Sequence, residues 1–185
     1  MGHDDRAEHA DHEKHEQQDR DARLAEAVAM RGRGDREEAR ERLVALAARH
    51  PEDAEIAYQT AWAHDVLGLE TEAVPHYERA LAAGGTGGAG LGADDRRGAL
   101  LGLGSTYRCL GRYADAVALL TGAVEEFPED GSLRTFLAMA LYNTGRHHES
   151  TSLLLRLLAA TSQDPSVQQY RGAIDHYAGD LDAIG

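Results

Sequence analysis

Five glycines recur along the chain at a nearly constant interval. They are Gly34, Gly68, Gly111, Gly145 and Gly179, and their separations are 34, 43, 34 and 34 residues. The one longer interval contains a glycine-rich run, residues 84–92, which can be looped out without disturbing the register. Recurrence at such an interval indicates a chain built from stacked copies of one structural unit.

Each interval reads as two amphipathic helices that meet at the glycine. In residues 100–128, apolar side chains recur at spacings of three and four on both sides of Gly111, which indicates helices. If Gly111 is position 15 of the unit, position 8 is small in every copy: Ala27, Ala61, Gly104, Ala138 and Gly172. Position 24 is large: Leu43, Tyr77, Leu120 and Leu154. Small residues facing large ones at fixed spacing predict closely packed helices.

The pattern resembles the tetratricopeptide repeat family, whose unit carries Leu-Gly, Tyr, Ala and Pro at set positions. The best copy matches with Leu103, Gly104, Tyr107, Ala116 and Pro128. The resemblance implies an all-α fold, a right-handed superhelix of about four and a half helical hairpins. It predicts a repeat domain over residues 20–185, with repeats near 20–53, 54–87, 97–130 and 131–164 and a C-terminal capping helix over 165–178.

Helix boundaries follow from this register. First helices are predicted near 21–33, 54–67, 95–110, 131–144 and 165–178, and second helices near 36–49, 70–83, 113–126 and 147–161. Asp53 and Asp130 stand where an N-cap residue is expected.

Residues 1–19 form an acidic, histidine-rich N-terminal tail that is either disordered or an extension of the first helix. As a helix it would place His9, His12, Glu13 and Glu16 on one face, a spacing suited to a metal such as zinc. A solvated acidic tail is the interpretation we favour, because no fixed geometry is specified. We predict no metal site and no cofactor.

Charge and composition exclude several classes of partner. The formal net charge is −13, so a nucleic acid would be repelled along most of the molecule. The longest apolar stretches are short and interrupted by charge, which argues against a membrane span. Cys109 is the single cysteine, so no intramolecular disulfide can form. We therefore expect a cytoplasmic protein without nucleic-acid or membrane partners.

No set of residues forms a recognisable catalytic constellation. Gly85, Gly87 and Gly90 fit a Gly-x-Gly-x-x-Gly spacing, but they follow a predicted helix instead of a strand, so the match is accidental. His64 falls at a packing position and reads as a core histidine. Cys109 has no base partner that spacing identifies. We predict that the protein is not an enzyme.

The resemblance implies that positions 5, 9 and 12 of each first helix line the concave groove, where family members bind partners. In the first four first helices these residues are Leu24, Val28, Arg31, Tyr58, Trp62, Asp65, Leu101, Ser105, Arg108, Thr135, Met139 and Tyr142. Some members clamp a C-terminal carboxylate with Lys and Asn where this chain has Leu24 and Val28, which argues against that mode. Positions 5 and 9 are mostly apolar in the N-terminal half of the set.

These observations predict a non-catalytic protein-interaction module that binds a peptide or partner protein in the groove. One alternative is a self-associating homodimer with a regulatory role, in which one copy fills the groove of another. A further alternative is that the groove side chains pack on each other and leave no free surface.

Overall fold

The structure is a computed structural model that describes residues 4–83 and 90–182. Within these ranges it contains no β-strand, and the all-α prediction is confirmed. The helices are α1 (Asp4–Arg33), α2 (Arg36–Arg49), α3 (Ala54–Asp65), α4 (Glu70–Ala82), α5 (Ala93–Cys109), α6 (Tyr113–Glu126), α7 (Gly131–Asn143), α8 (His147–Thr161), α9 (Pro165–Gln169) and α10 (Arg171–Tyr177). The predicted bounds of α2, α6 and α8 coincide with the observed ones.

The chain divides into two compact units at the end of the glycine-rich interval. Unit 1 ends at Gly92 and contains α1 to α4, and unit 2 begins at Ala93 and contains α5 to α10. Within unit 1, α1 packs on α2, α2 on α3 and α3 on α4. Within unit 2, α5 packs on α6, α6 on α7 and α7 on α8. Sequential helices are thus spatial neighbours, as the repeat predicts. The single domain over 20–185 stays a prediction.

Four of the five recurring glycines make the tight turns between paired helices. Gly34, Gly68, Gly111 and Gly145 have φ values of 101°, 70°, 74° and 78°. This left-handed region suits glycine because a Cβ atom is strained there. Gly179 does not share this conformation, so the fifth copy departs from the register.

The predicted contact between a small and a large residue is present in the first hairpin of unit 2. A Cβ atom on Gly104 would lie 2.6 Å from both Cγ and Cδ2 of Leu120, whose side chain is 0% exposed. The two helices could not approach this closely with a larger residue at position 8. The spacing in the sequence therefore reports a true packing constraint.

Both predicted N-caps are confirmed. Each capping aspartate also accepts hydrogen bonds from an arginine that precedes it by 33 residues, one fewer than the repeat length. The Asp53 side chain accepts a hydrogen bond from the Ile56 N–H at 3.0 Å. Arg20 is buried and donates to the two oxygens of Asp53 at 2.9 and 2.8 Å. In unit 2, Arg97 donates to Asp130 at 2.7 Å. Arginine at position 1 and aspartate at position 34 thus join the start of one repeat to the start of the next.

Protonation of Asp130 is expected to cost stability at acid pH. Burial opposes the charged form, but Ser132, the Leu133 N–H and Arg97 donate to the carboxylate and hold its pKa at about 2. Because the pKa is lower in the folded protein, the ionised carboxylate stabilises the fold at pH values above 3.8, the pKa of the unfolded chain. This stabilisation is lost as the pH falls towards 2. The difference between a pKa of 3.8 and one of about 2 corresponds to about 2 kcal/mol. Solvent screens the interaction little, because the Asp130 side chain is only 12% exposed.

Urea unfolding at several pH values between 5 and 2 measures this loss of stability. Asp130→Asn keeps a capping side chain but cannot titrate, so its free energy of unfolding should fall less than that of the wild type as the pH is lowered. Equal pH dependence in the two proteins would contradict the assigned role of Asp130.

The structure bears on two expectations about the ends of the chain: the state of the N-terminal tail and the C-terminal capping helix. Helix α1 begins at Asp4, so most of the predicted tail is an extension of the first helix. His12 and Glu16 lie 3.3 Å apart, whereas the side chains of His9 and Glu13 lie outside the described residues. Gly85 and Gly87 also lie outside them. At the other end, the single capping helix predicted over 165–178 is wrong, because the helix is interrupted at Tyr170.

Candidate partner-binding face

The first helices of consecutive hairpins lie side by side in each unit. Helix α1 contacts α3 in unit 1, and α5 contacts α7 in unit 2. We call the residues at positions 5, 9 and 12 of these helices the first-helix face. In unit 1 they are Leu24, Val28, Arg31, Tyr58, Trp62 and Asp65, and in unit 2 they are Leu101, Ser105, Arg108, Thr135, Met139 and Tyr142.

Part of the first-helix face of unit 1 belongs to the core. Leu24 is 4% exposed and clusters with Leu43 and Leu46, and Val28 packs against the same cluster. Tyr58 is also buried. The expectation of a bare apolar surface here is therefore corrected: Leu24 and Tyr58 are covered because the hairpins close on them, and a partner could not reach most of either side chain.

Arg31 fills the space in front of the one exposed aromatic ring of unit 1. Its guanidinium lies 3.9 Å from the centroid of the Trp62 ring, a cation–π contact. It also donates to the backbone oxygen and the Oε1 of Gln59 at 3.2 and 2.8 Å. Burial lowers the pKa of Arg31. Its donors are thus largely used within the unit.

The aromatic residues behind Arg31 pack on one another, and one of them donates a hydrogen bond. The Tyr58 ring stacks on Trp62 with centroids 6.0 Å apart, and it lies 6.3 Å from the Tyr77 ring. The Tyr77 hydroxyl donates to Asp65 at 2.7 Å, and burial together with Asp65 raises the pKa of Tyr77. In unit 1 the side chains therefore pack mainly on each other, which was one of the alternatives left open by the sequence.

The first-helix face of unit 2 is more open. Met139 is 40% exposed and Tyr142 is 62% exposed. The Tyr142 ring contacts the His147 ring at a centroid distance of 4.7 Å, which leaves most of the phenol free. Leu101, Ser105 and Thr135 are half-buried beside them. Apolar and polar groups thus alternate on a surface that a partner can reach.

Two buried polar atoms, one on this face and one beside it in sequence, lack hydrogen bonds. Arg108 Nε and Asn143 Oδ1 are buried and have no partner among the residues that the structure describes. Arg108 occupies position 12, the position of Arg31 in unit 1, but it has no equivalent of Gln59 or Trp62. A buried donor and a buried acceptor without partners are costly.

Several residues of this face and its supports were not predicted from the sequence. Gln59 and Asn143 lie one position beyond the predicted stripe, and Arg20 and Arg97 act on the caps of the following helices. The arginine–aspartate pairs had a detectable signal, because both partners recur at the same repeat positions. Gln59 and Asn143 had none, since their roles depend on what lies next to them.

The residues considered for chemistry are placed separately. His64 is buried and its Nδ1 lies 2.8 Å from the Thr60 oxygen, which confirms a core histidine. Its ring stacks on His76, and burial lowers the pKa of His76 to about 4. Cys109 is exposed. Among the described side chains, no cluster of three or more potential metal ligands occurs.

Comparison with known proteins decides the family. The sequence model for the tetratrico peptide repeat matches residues 54–181. The chain belongs to the tetratrico peptide repeat family. Repeats of this family and their stacked hairpins favour a scaffold for protein–protein interaction. Among the described residues, no helix is long and apolar enough to cross a membrane.

Solved structures of similar fold agree with this assignment. The chain is similar to MamA residues 41 to the end from Desulfovibrio magneticus RS-1, with 19% identity and a TM-score of 0.66 over 87% of this chain and 86% of that one. It is equally similar to the MamA RS-1 ArsTM double mutant, over 85% of that chain. At this identity the likeness concerns the fold alone. No curated protein matches the sequence.

Proposed function

We propose that this tetratrico peptide repeat protein is a cytoplasmic, non-catalytic interaction module whose first-helix face in unit 2 binds a segment of a partner protein. The contrast between two equivalent arginines supports the proposal. Arg31 is held by Gln59 and Trp62, whereas Nε of Arg108 has no hydrogen-bond partner among the described residues, and Met139 and Tyr142 of the same face are exposed. An interaction surface needs accessible area, and the first-helix face of unit 2 offers it.

The chemistry of the face specifies the segment. Met139 and Tyr142 offer an adaptable thioether and a rigid aromatic ring, which suit an apolar side chain. Ser105 and Thr135 are half-buried on the same face and offer hydroxyl groups to a peptide backbone. An extended or helical peptide that places an apolar side chain on Met139 and Tyr142 therefore fits.

Loss of the exposed Met139 and Tyr142 side chains should weaken the capture of partners. We expect Met139→Ser combined with Tyr142→Ser to reduce capture from a lysate of the source cells at least tenfold, or about 1.4 kcal/mol. The measurement is quantitative mass spectrometry of the captured proteins. Tyr113→Ser is the control, because Tyr113 is also an exposed tyrosine of unit 2, at 37%, but lies on the second helix α6. The same captured proteins with both variants would refute the proposal.

Self-association through the same face is the second candidate function. Exposure of Met139 and Tyr142 favours it, because a second copy would cover both apolar side chains. Sedimentation velocity distinguishes the two candidates: a dimer that Tyr142→Ser dissociates indicates self-association, and a monomer at all concentrations indicates a different partner.

A further inference from the structure

The second helices of the array carry a stripe that the next first helix normally covers. The stripe consists of positions 21, 24, 28 and 31, which lie on one side of a helix. It is formed by Arg40, Leu43, Ala47 and His50 on α2 and by Val117, Leu120, Val124 and Phe127 on α6. None of these residues is exposed: α3 packs on α2 and α7 packs on α6, and Leu43 and Leu120 also lie against the first helix of their own hairpin.

The same stripe is open on α8. Its residues are Thr151, Leu154, Leu158 and Thr161, and Leu154 and Leu158 are 42% and 43% exposed. Leu43 and Leu120, at the same position as Leu154, are 0% exposed. The α8 stripe, as we call these four residues, is therefore an uncovered copy of a surface that is buried elsewhere in this chain.

The C-terminal segment packs on a different side of α8. The Ser152 hydroxyl donates to the Ala178 oxygen, and Arg156 lies 3.7 Å from Asp175. Ser152 and Arg156 each precede a leucine of the α8 stripe by two residues, which is about 200° around the helix axis. Helix α10 therefore leaves the α8 stripe free.

Arg171 explains why this segment does not cover the α8 stripe. It occupies position 7, where Thr60 and Leu137 are buried. The Thr60 hydroxyl lies 3.4 Å from the Leu43 oxygen, so position 7 faces the stripe of the preceding helix. A guanidinium placed there would lose its hydration without gaining an acid partner.

The interior of the chain shows what kind of helix fits such a stripe. Ile56 and Ala63 of α3 lie in one core cluster with Leu43 and Ala47 of α2. The buried series is Ile56, Thr60 and Ala63 on α3, and Leu133, Leu137 and Ala140 on α7. Both have uncharged residues at i, i+4 and i+7, with alanine last, where a small side chain allows a close approach.

We propose that the α8 stripe docks an amphipathic α-helix of a partner protein, with an apolar residue at i, an uncharged residue at i+4 and alanine at i+7. The stripe carries no charged side chain, so it complements an apolar helix face without burying an ion. This docking continues the helix–helix interface that already joins α2 to α3 and α6 to α7. It is independent of the first-helix face in unit 2.

A peptide of residues 130–144 is the probe, because it contains the Asp130 cap and the series Leu133, Leu137 and Ala140. We expect its fluorescence anisotropy to rise saturably with the full-length protein. Leu158→Asp should weaken binding at least tenfold, or about 1.4 kcal/mol. Val44→Asp on α2 is the matched control, because Val44 is 38% exposed, and it should bind as the wild type does.

Three results would overturn the proposal: no saturation below about 500 µM, an affinity for Leu158→Asp equal to the wild type, or an equal loss with Val44→Asp. Circular dichroism verifies that each variant is folded. Tyr142→Ser in the full-length protein, tested with the unchanged peptide, should leave peptide binding unaltered. This result would separate the α8 stripe from the first-helix face. If Tyr142→Ser alone weakens binding, the peptide uses the other face and the α8 stripe is excluded.

Discussion

Asp53→Ala is expected to destabilise unit 1 by about 2–3 kcal/mol, from the lost N-cap and the lost charge-assisted hydrogen bonds. The substitution removes the N-cap of α3 and leaves the buried Arg20 guanidinium without its two-oxygen partner. Burial alone would lower the pKa of Arg20, but hydrogen bonds to Asp53, Asp21 and Glu55 outweigh it and raise that pKa. An arginine that stays charged cannot avoid the loss by giving up its proton.

Trp62 is the only tryptophan and lies in unit 1, so its fluorescence in urea reports this unfolding. Asp21→Ala is the control, because Asp21 is 56% exposed and its ion pair with Arg20 should contribute less than about 1 kcal/mol. Asp53→Asn retains the cap without the charge, so its loss in free energy of unfolding should lie between those of Asp53→Ala and Asp21→Ala. Similar losses for Asp53→Ala and Asp21→Ala would contradict this account of the pair.

Leu120→Ala is expected to destabilise unit 2 by about 3–5 kcal/mol. Leu120 is 0% exposed, and Gly104 stands against it without a side chain that could fill the vacated space. The cavity should therefore persist. Leu154→Ala changes the same repeat position on α8, but Leu154 is 42% exposed and should cost about 1 kcal/mol or less.

Hydrogen exchange of peptides from unit 2, followed by mass spectrometry, measures both variants without an added probe. Helices α5 and α6 should lose protection strongly in Leu120→Ala and little in Leu154→Ala. Equal losses of protection in the two variants would mean that the repeat position alone decides the cost of the substitution, whatever helices surround it. Such a result would also remove the basis for an open stripe on α8.

Much of the fold could be predicted because its signals are local. Glycines at a fixed interval gave the four turns, and alternating small and large residues gave the close approach of Gly104 to Leu120. Asp53 and Asp130 were identifiable as caps because a cap depends on the few residues that follow it. The C-terminal segment misled the same reasoning, since the helix pattern was extended through Tyr170 and Arg171.

The candidate face was predictable only as a set of positions. Helical periodicity placed Arg31 and Arg108 at the same position. It could not show that Gln59 and Trp62 hold Arg31, whereas Nε of Arg108 has no hydrogen-bond partner among the described residues. Leu24 and Tyr58 likewise shared the stripe, but the closing of the hairpins buried them. Occupancy of a surface depends on neighbours that are distant in sequence.

The sequence alone determined the helices, their turns and the register of the repeat, because these depend on side-chain spacing and backbone preference within about one turn of helix. Only the tertiary structure decided which of the equivalent positions are buried and which are exposed to a partner. Leu120 and Leu154 illustrate the reason: they are the same residue type at the same position, but Leu120 is 0% exposed and Leu154 is 42% exposed. Burial depends on the neighbour that packs on a side chain as much as on the side chain itself.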